Sequence, residues 1–186
     1  MYRFVVVTGM PASGKTTLAV EVARVLGWHL FDKDEFLERL FEEQGVGDLH
    51  WRRQLSKRAD LLLQESALKV TRAVLSSWWR HPESSLDSGT SVGWLDNDLT
   101  ETLELRCVCS SSIAASRFVA RQRHPGHLDG RWSYQQLVES FTEQAALGPL
   151  LHGKVIELNT EVVVPPHTIQ ALAAQALQWA AGARTS

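Results

Sequence analysis

The chain has 186 residues, 44% of them hydrophobic, with 19 Lys plus Arg against 21 Asp plus Glu and a formal net charge of −2. That length buries a sizeable core as one domain, residues 1–186, and the near-neutral balance lacks the basic field of a dedicated nucleic-acid binder. Two cysteines and the absence of any long apolar run exclude a disulfide scaffold and a membrane-spanning helix.

Phe4-Val5-Val6-Val7 is a short apolar, β-branched run and predicts a buried parallel strand. It starts almost at the first residue, so no targeting segment and a cytoplasmic location are expected. Gly9 to Thr16 fits G-x-x-x-x-G-K-[ST], the phosphate-binding P-loop, and Thr17 follows directly. Leu18, Val22 and Val25 then recur at helical spacing, with Gly27 placed to end that helix. Strand, glycine loop and helix stand in the required order. Glycines at 9 and 14 let successive amides converge on a phosphate, and the helix N-terminus adds partial positive charge. Gly9, Pro11, Ala12, Ser13, Gly14, Lys15, Thr16 and Thr17 are therefore the expected nucleotide contacts. Lys15 is expected to reach the β- and γ-phosphates, and the Thr16 hydroxyl to ligate Mg²⁺.

A second strand is predicted over Trp28–Phe31, running into Asp32-Lys33-Asp34-Glu35 and a short helix through Phe36, Leu37 and Leu40. Gln44 to Asp48 reads as a loop. From about His50 to Arg80, the stripe Ala59, Leu63, Ala67, Val70, Val74 and Trp78 predicts one long helix. Arg52, Arg53, Lys57 and Arg58 near its start are read as a solvated face, with contact to a substrate anion as the alternative. A short third strand is predicted over Ser84–Gly89, placing Asp87 where a P-loop NTPase carries its Walker-B metal acid, although the residues before it lack the usual apolar run.

Leu105–Cys109 predicts the fourth strand; its C-x-C cysteines share one face and read as core. Ser110, Ser111 or Ser112 can cap the helix that follows. A basic loop spans Arg121 to Arg131, a helix Trp132 to Leu147, a fifth strand Val155 to Asn159, and a final helix places Ile169, Leu172, Ala176 and Trp179 on one face. A polar tail follows Gly182.

Four stretches carry a family resemblance: the P-loop at 9–17, Asp32 to Glu35, Leu86-Asp87-Ser88-Gly89, and Arg117 through His127. With these the chain resembles the small P-loop kinases of the AAA_33 group, related to chloramphenicol phosphotransferase, gluconate kinase, zeta toxins and polynucleotide kinase domains. The resemblance implies an α/β P-loop NTPase three-layer sandwich, nucleoside-kinase-like, with a five-stranded parallel sheet and a helical lid at about 117–131. It implies transfer of the ATP γ-phosphoryl group, with Mg²⁺, to a hydroxyl of a small molecule. Asp34 aligns with the acid that accepts the acceptor proton, and Asp32 competes for that role, through a Mg²⁺-bound water, or holds metal; capping of the next helix is the plainer reading of both acids. Arg121 and Arg123 align with lid arginines that meet the transferring phosphate, and Arg117 with one that lies against adenine. A solvated basic helix end is the plainer reading of the three. Asp87 is carried over as a metal-water or substrate contact.

His124 and His127 read as loop polar contacts, and Trp51, Trp94 and Trp132 as candidate acceptor-pocket walls. No N-K-x-D guanine motif or LSGGQ signature is present. The alternatives are a polynucleotide 5′-hydroxyl kinase, which the lack of a basic aromatic stripe argues against, and a catalytically degenerate nucleotide-binding regulator.

Overall fold

The computed structural model describes residues 1–84 and 88–182. The chain runs β1 (Tyr2–Thr8), α1 (Lys15–Leu26), β2 (His29–Asp32), α2 (Lys33–Gln44), α3 (Leu49–Ala67), β3 (Arg72–Ser76), β4 (Thr100–Val108), α4 (Ser111–Ala120), α5 (Tyr134–Ala146), β5 (Lys154–Asn159) and α6 (Pro166–Ala181). The five strands form one parallel sheet in the order β2-β3-β1-β4-β5. Chain order reverses direction at β1, so the crevice that opens beyond its carboxyl end is where such sheets take ligands. The P-loop sits there.

Side chains alternate across β1, as the two-residue strand period requires. Val5 and Val7 pack with Leu18, Ala19 and Val22 of α1 and Ile169, Leu172 and Ala176 of α6. Phe4 and Val6 face the other way, onto Leu63 and Ala67 of α3, Leu75 and Trp79. Phe4 through Val7 have no exposed surface. Truncating Phe4 to Ala would cost about 3–5 kcal/mol. Gly27 ends α1 at φ 64°, as expected from its position.

The third strand is a correction to the sequence reading. The helix expected to reach Arg80 stops at Ala67, and turn-type bonds from Lys69 N to Ser66 O and from Val70 N to Ala67 O close it. β3 follows, and Ala73, Val74 and Leu75 are fully buried between β1 and β2. A strand covered on both faces shows no alternation, and Val70, Val74 and Trp78 happen to continue the helical stripe. In the strand expected over Ser84–Gly89, residues 85–87 lie outside the described residues, and so does Asp87 with its expected metal role. After β3 a neck is closed by Arg80 N to Thr90 O (2.9 Å) and Thr90 N to Trp78 O (2.8 Å). The tail after Gly182 is also outside the described residues. Among the described residues, no helix is long and apolar enough to cross a membrane.

Candidate active site

The strand-to-helix turn Gly9–Gly14 is built on backbone angles that side chains resist. Gly9 has φ 134°, and a Cβ there would lie 2.6 Å from the Cys107 carbonyl oxygen. Gly14 has φ 97° and caps α1, while Ala12 holds φ 60°, a strained value for a non-glycine residue. Ser13 is buried, and its Oγ has no hydrogen-bond partner within the protein. Lys15 curls back so that its Nζ donates to the Met10 carbonyl at 2.7 Å. Burial drives the Lys15 pKa down to about 8, against the attraction of Cys107, Asp34 and Asp32. An orphaned hydroxyl, helix-end amides and a buried lysine make a cradle that fits a polyphosphate.

Two carboxylates flank the next turn. Asp32 ends β2 and caps α2: its Oδ1 accepts from Asp34 N at 3.0 Å and its Oδ2 from Thr16 Oγ1 at 3.1 Å. The capping reading therefore holds for Asp32, whereas Asp34 is in the first helical turn with its carboxylate free for other partners. Burial, and next the charge of Asp34, push the Asp32 carboxyl up, while the Asp34 amide, Ser76 and Thr16 bonds oppose this. Ser76 ends β3 in register with Asp32, so a hydroxyl stands where an apolar strand would deliver a Walker-B acid. The nearby carboxylate comes from the adjacent strand instead. Thr16 and Asp32 form a hard oxygen pair suited to Mg²⁺ that brings its own phosphate and water ligands. Among the described residues, no group of three or more His, Cys, Asp or Glu forms a protein-only metal cage.

Asp34 meets the segment that follows α4. Arg123 donates to its Oδ2, and Arg121 and Arg123 both reach Asp129 Oδ2, at 2.9 and 3.5 Å. Burial alone would raise the Asp34 carboxyl, but Arg123, His127 and Lys15 outweigh it and hold it below its ordinary value. The Arg121 guanidinium also lies over the Phe118 ring, 4.0 Å from its centre. Beyond them the chain forms two short 3₁₀ turns, Pro125–His127 and Asp129–Arg131. This segment is seated on Phe41 of α2, which stacks on His124 and meets His127 edge-on. His127 Nε2 pairs with Glu38 Oε1 at 2.8 Å, and Arg52 Nε of α3 donates to the His127 carbonyl at 2.9 Å. Both histidines make polar contacts within or from the loop, His124 Nδ1 accepting from Gly126 N and His127 pairing with Glu38 from α2, an acid that no nearby residue in the sequence announced.

Arg117 is placed at the far side of the P-loop. Its guanidinium donates to the Thr160 and Glu161 carbonyls, at 2.9 and 2.7 Å, and so straps α4 to the loop after β5. Cys107 and Cys109 are buried as core residues, and burial pushes the Cys107 thiol up to about 12. A cavity of about 230 Å³ opens beside Gly9 and Met10, walled by Trp78, Trp79, Arg80 and Gln144. Trp51, Trp94 and Trp132 do not line it. Trp51 donates to the Gly45 carbonyl, Trp94 packs on Phe4, and Trp132 lies under Arg131.

Glu104 escaped the sequence reading. It is 1% exposed in mid-β4, and accepts from Thr8 Oγ1 at 2.6 Å, Leu150 N at 3.0 Å and Leu151 N at 2.8 Å. These bonds hold the end of β1 just before the P-loop. The signal was present as the lone charge in Leu103-Glu104-Leu105, because a carboxylate between two core leucines must find donors.

Comparison with known proteins agrees with this architecture. The AAA_33 model, an AAA domain, matches residues 4–131. The Xenopus tropicalis protein named "Probable gluconokinase" is 26% identical over 132 residues, covering 64% of this chain and 70% of that one. A solved kinase candidate from Chloroflexus aurantiacus is 24% identical with a TM-score of 0.74, covering 95% of this chain and 97% of that one. A solved sugar kinase from a Janibacter species is 20% identical with a TM-score of 0.55, and the match covers 100% of both chains. The chain belongs to the AAA_33 family of AAA domains and carries the fold of a small P-loop kinase.

Proposed function

We propose that the protein is an ATP-dependent kinase that moves the γ-phosphoryl group to a hydroxyl of a small-molecule acceptor. The observation that carries this reading is the meeting of Lys15, the Thr16–Asp32 pair and the Asp34–Arg123 pair around one loop. The acceptor oxygen attacks the γ-phosphorus, the bond to the β-phosphate oxygen breaks, and the acceptor proton passes to the Asp34 carboxylate. Lys15 and the loop amides hold the phosphates, and Arg121 and Arg123 neutralise the charge of the transferring group. Thr16 and Asp32 would hold Mg²⁺, which would supply charge neutralisation to the phosphates. Arg117 and the loop after β5 are the proposed seat of the nucleobase. The cavity bounded by Trp78 and Arg80 is the proposed acceptor entrance.

The likeness to a protein named a gluconokinase makes sugar acids the first acceptors to try. The test incubates the protein with ATP, Mg²⁺ and a panel of sugar acids, sugars, nucleosides and hydroxylated antibiotics. Single-stranded oligonucleotides with a free 5′-hydroxyl form a separate arm. The expected product is one small acceptor heavier by one phosphate, with ADP formed in equal amount. Phosphorylated oligonucleotide alone would move the acceptor to nucleic acid, and nucleotide binding with no ADP across the panel would point to a regulator.

A further inference from the structure

Between the two site carboxylates stands Lys33, and its side chain leaves the site altogether. Lys33 is 6% exposed, and its Nζ pairs with Asp60 Oδ1 of α3 at 2.6 Å. Burial pulls the Lys33 pKa down, and Asp60 is the chief group that pulls it back. The same Asp60 oxygen accepts from Thr90 Oγ1 at 2.6 Å, and Thr90 Oγ1 lies 2.5 Å from Ser77 Oγ. The donors therefore have a direction. Thr90 gives its only hydroxyl proton to Asp60, so Ser77 must give its own to Thr90.

Thr90 is also the neck of the loop that follows β3, since its backbone bonds both Trp78 and Arg80. Gly89 beside it has φ 94°, and a Cβ there would lie 2.9 Å from the Trp78 carbonyl oxygen, so the neck has no slack. On the other side, Ser76 and Asp32 face each other in register, and Asp32 caps the turn that carries Asp34. A set of polar contacts, buried at Lys33, Ser77 and Thr90 and half-buried at Asp60, thus joins the wall of the cavity beside Met10 to the turn bearing both carboxylates.

We infer that Lys33, Asp60 and Thr90 are positioning residues that tie the neck formed by Trp78, Arg80 and Thr90, beside the proposed acceptor entrance, to the Asp32–Asp34 turn. The inference rests on the kinase reading for its effect on rate, though not for the coupling itself. Lys33 is drawn to Asp60, while the Asp32 carboxylate stays on Thr16 and the Asp34 carboxylate on Arg123. Asp60 sets how far the neck stands from these carboxylates. A misplacement on the order of 1 Å between acceptor and base costs about 10²-fold in rate.

Thr90→Val is the near-isosteric test, with Thr90→Ser as the conservative rescue and Asp60→Asn as the second break. Amide hydrogen exchange is read at Arg80, at the loop neck, and at Asp34, across Asp60 and Lys33. Thr90→Val and Asp60→Asn should speed exchange at both places by about tenfold, and Thr90→Ser should leave it unchanged. With an acceptor in hand, the breaks should lower its kcat/KM by about 10- to 100-fold, with nucleotide affinity held within threefold. Exchange changes confined to the neck, with Asp34 unaffected, would overturn the coupling. Wild-type protein that phosphorylates no acceptor would defeat the kinase reading instead, and the exchange result would still decide this one.

Discussion

Arg123, in the segment after α4, donates directly to the Asp34 carboxylate, joining positions 89 residues apart in the chain. In the proposed reaction these two groups serve opposite ends of one event, since Asp34 takes the acceptor proton and Arg123 meets the charge on the moving phosphate. Their pairing keeps Asp34 ionised and keeps the lid arginine within the site before an acceptor arrives. Acceptor binding must exchange this contact for two new ones.

Removing the proposed base should separate binding from turnover. Asp34→Asn is expected to bind a non-hydrolysable ATP analogue with Mg²⁺ within threefold of the unaltered protein, measured by calorimetry. Phosphoryl transfer should fall by about 10²- to 10⁴-fold. Undiminished transfer in this variant would remove Asp34 from the mechanism.

Arg123→Ala should lower kcat by about 10²- to 10³-fold and also shift the acid limb of the pH profile. Asp34 titrates below its ordinary value in the folded protein, with Arg123 the largest lowering influence. The pairing therefore stabilises the fold above the unfolded carboxyl's pKa, and that stabilisation is lost as pH falls through the lowered folded value. Without Arg123 the acid limb of kcat/KM should move to higher pH. An unmoved limb would mean that another group controls it.

Lys15 links nucleotide affinity to pH. Its pKa of about 8 in the free protein stands below the 10.5 of an ordinary lysine. Between those values the unfolded chain binds more protons, so this group makes the free protein more stable as pH rises through that window. Phosphate charge pulls the other way and raises the pKa. Calorimetry near pH 8, in buffers of different ionisation enthalpy, should show uptake of up to about half a proton per nucleotide bound. Lys15→Ala should abolish that uptake and weaken binding by about tenfold or more.

Gly126 should prove necessary for seating the lid. A Cβ there would come within 2.5 Å of the Phe41 ring, although the backbone angle itself is unexceptional. Gly126→Ala should cost about 1–3 kcal/mol by overpacking. It should also speed limited proteolysis within residues 121–131 and lower kcat. Thermal melting checks the first effect and peptide mapping the second; unchanged cleavage would mean that the lid does not depend on Phe41.

The sequence by itself determined the P-loop, the strand before it, the helix after it and the alternation of strands and helices. Each depends on neighbours within a few residues: Gly9 and Gly14 on local backbone angles, Leu18 and Val22 on the helical repeat, Gly27 on a left-handed cap. Tertiary structure alone decided the third strand, because Ala73, Val74 and Leu75 are covered on both faces and leave no alternation to read. It also decided every pairing across the site. That Arg123 meets Asp34, Lys33 meets Asp60, Arg117 meets the Thr160 carbonyl and Glu104 meets Leu150 depends on which strand lies next to which. A charged residue announces in sequence that it needs a partner. The order of the sheet chooses that partner, because burying an unpaired charge costs more than local propensity can supply.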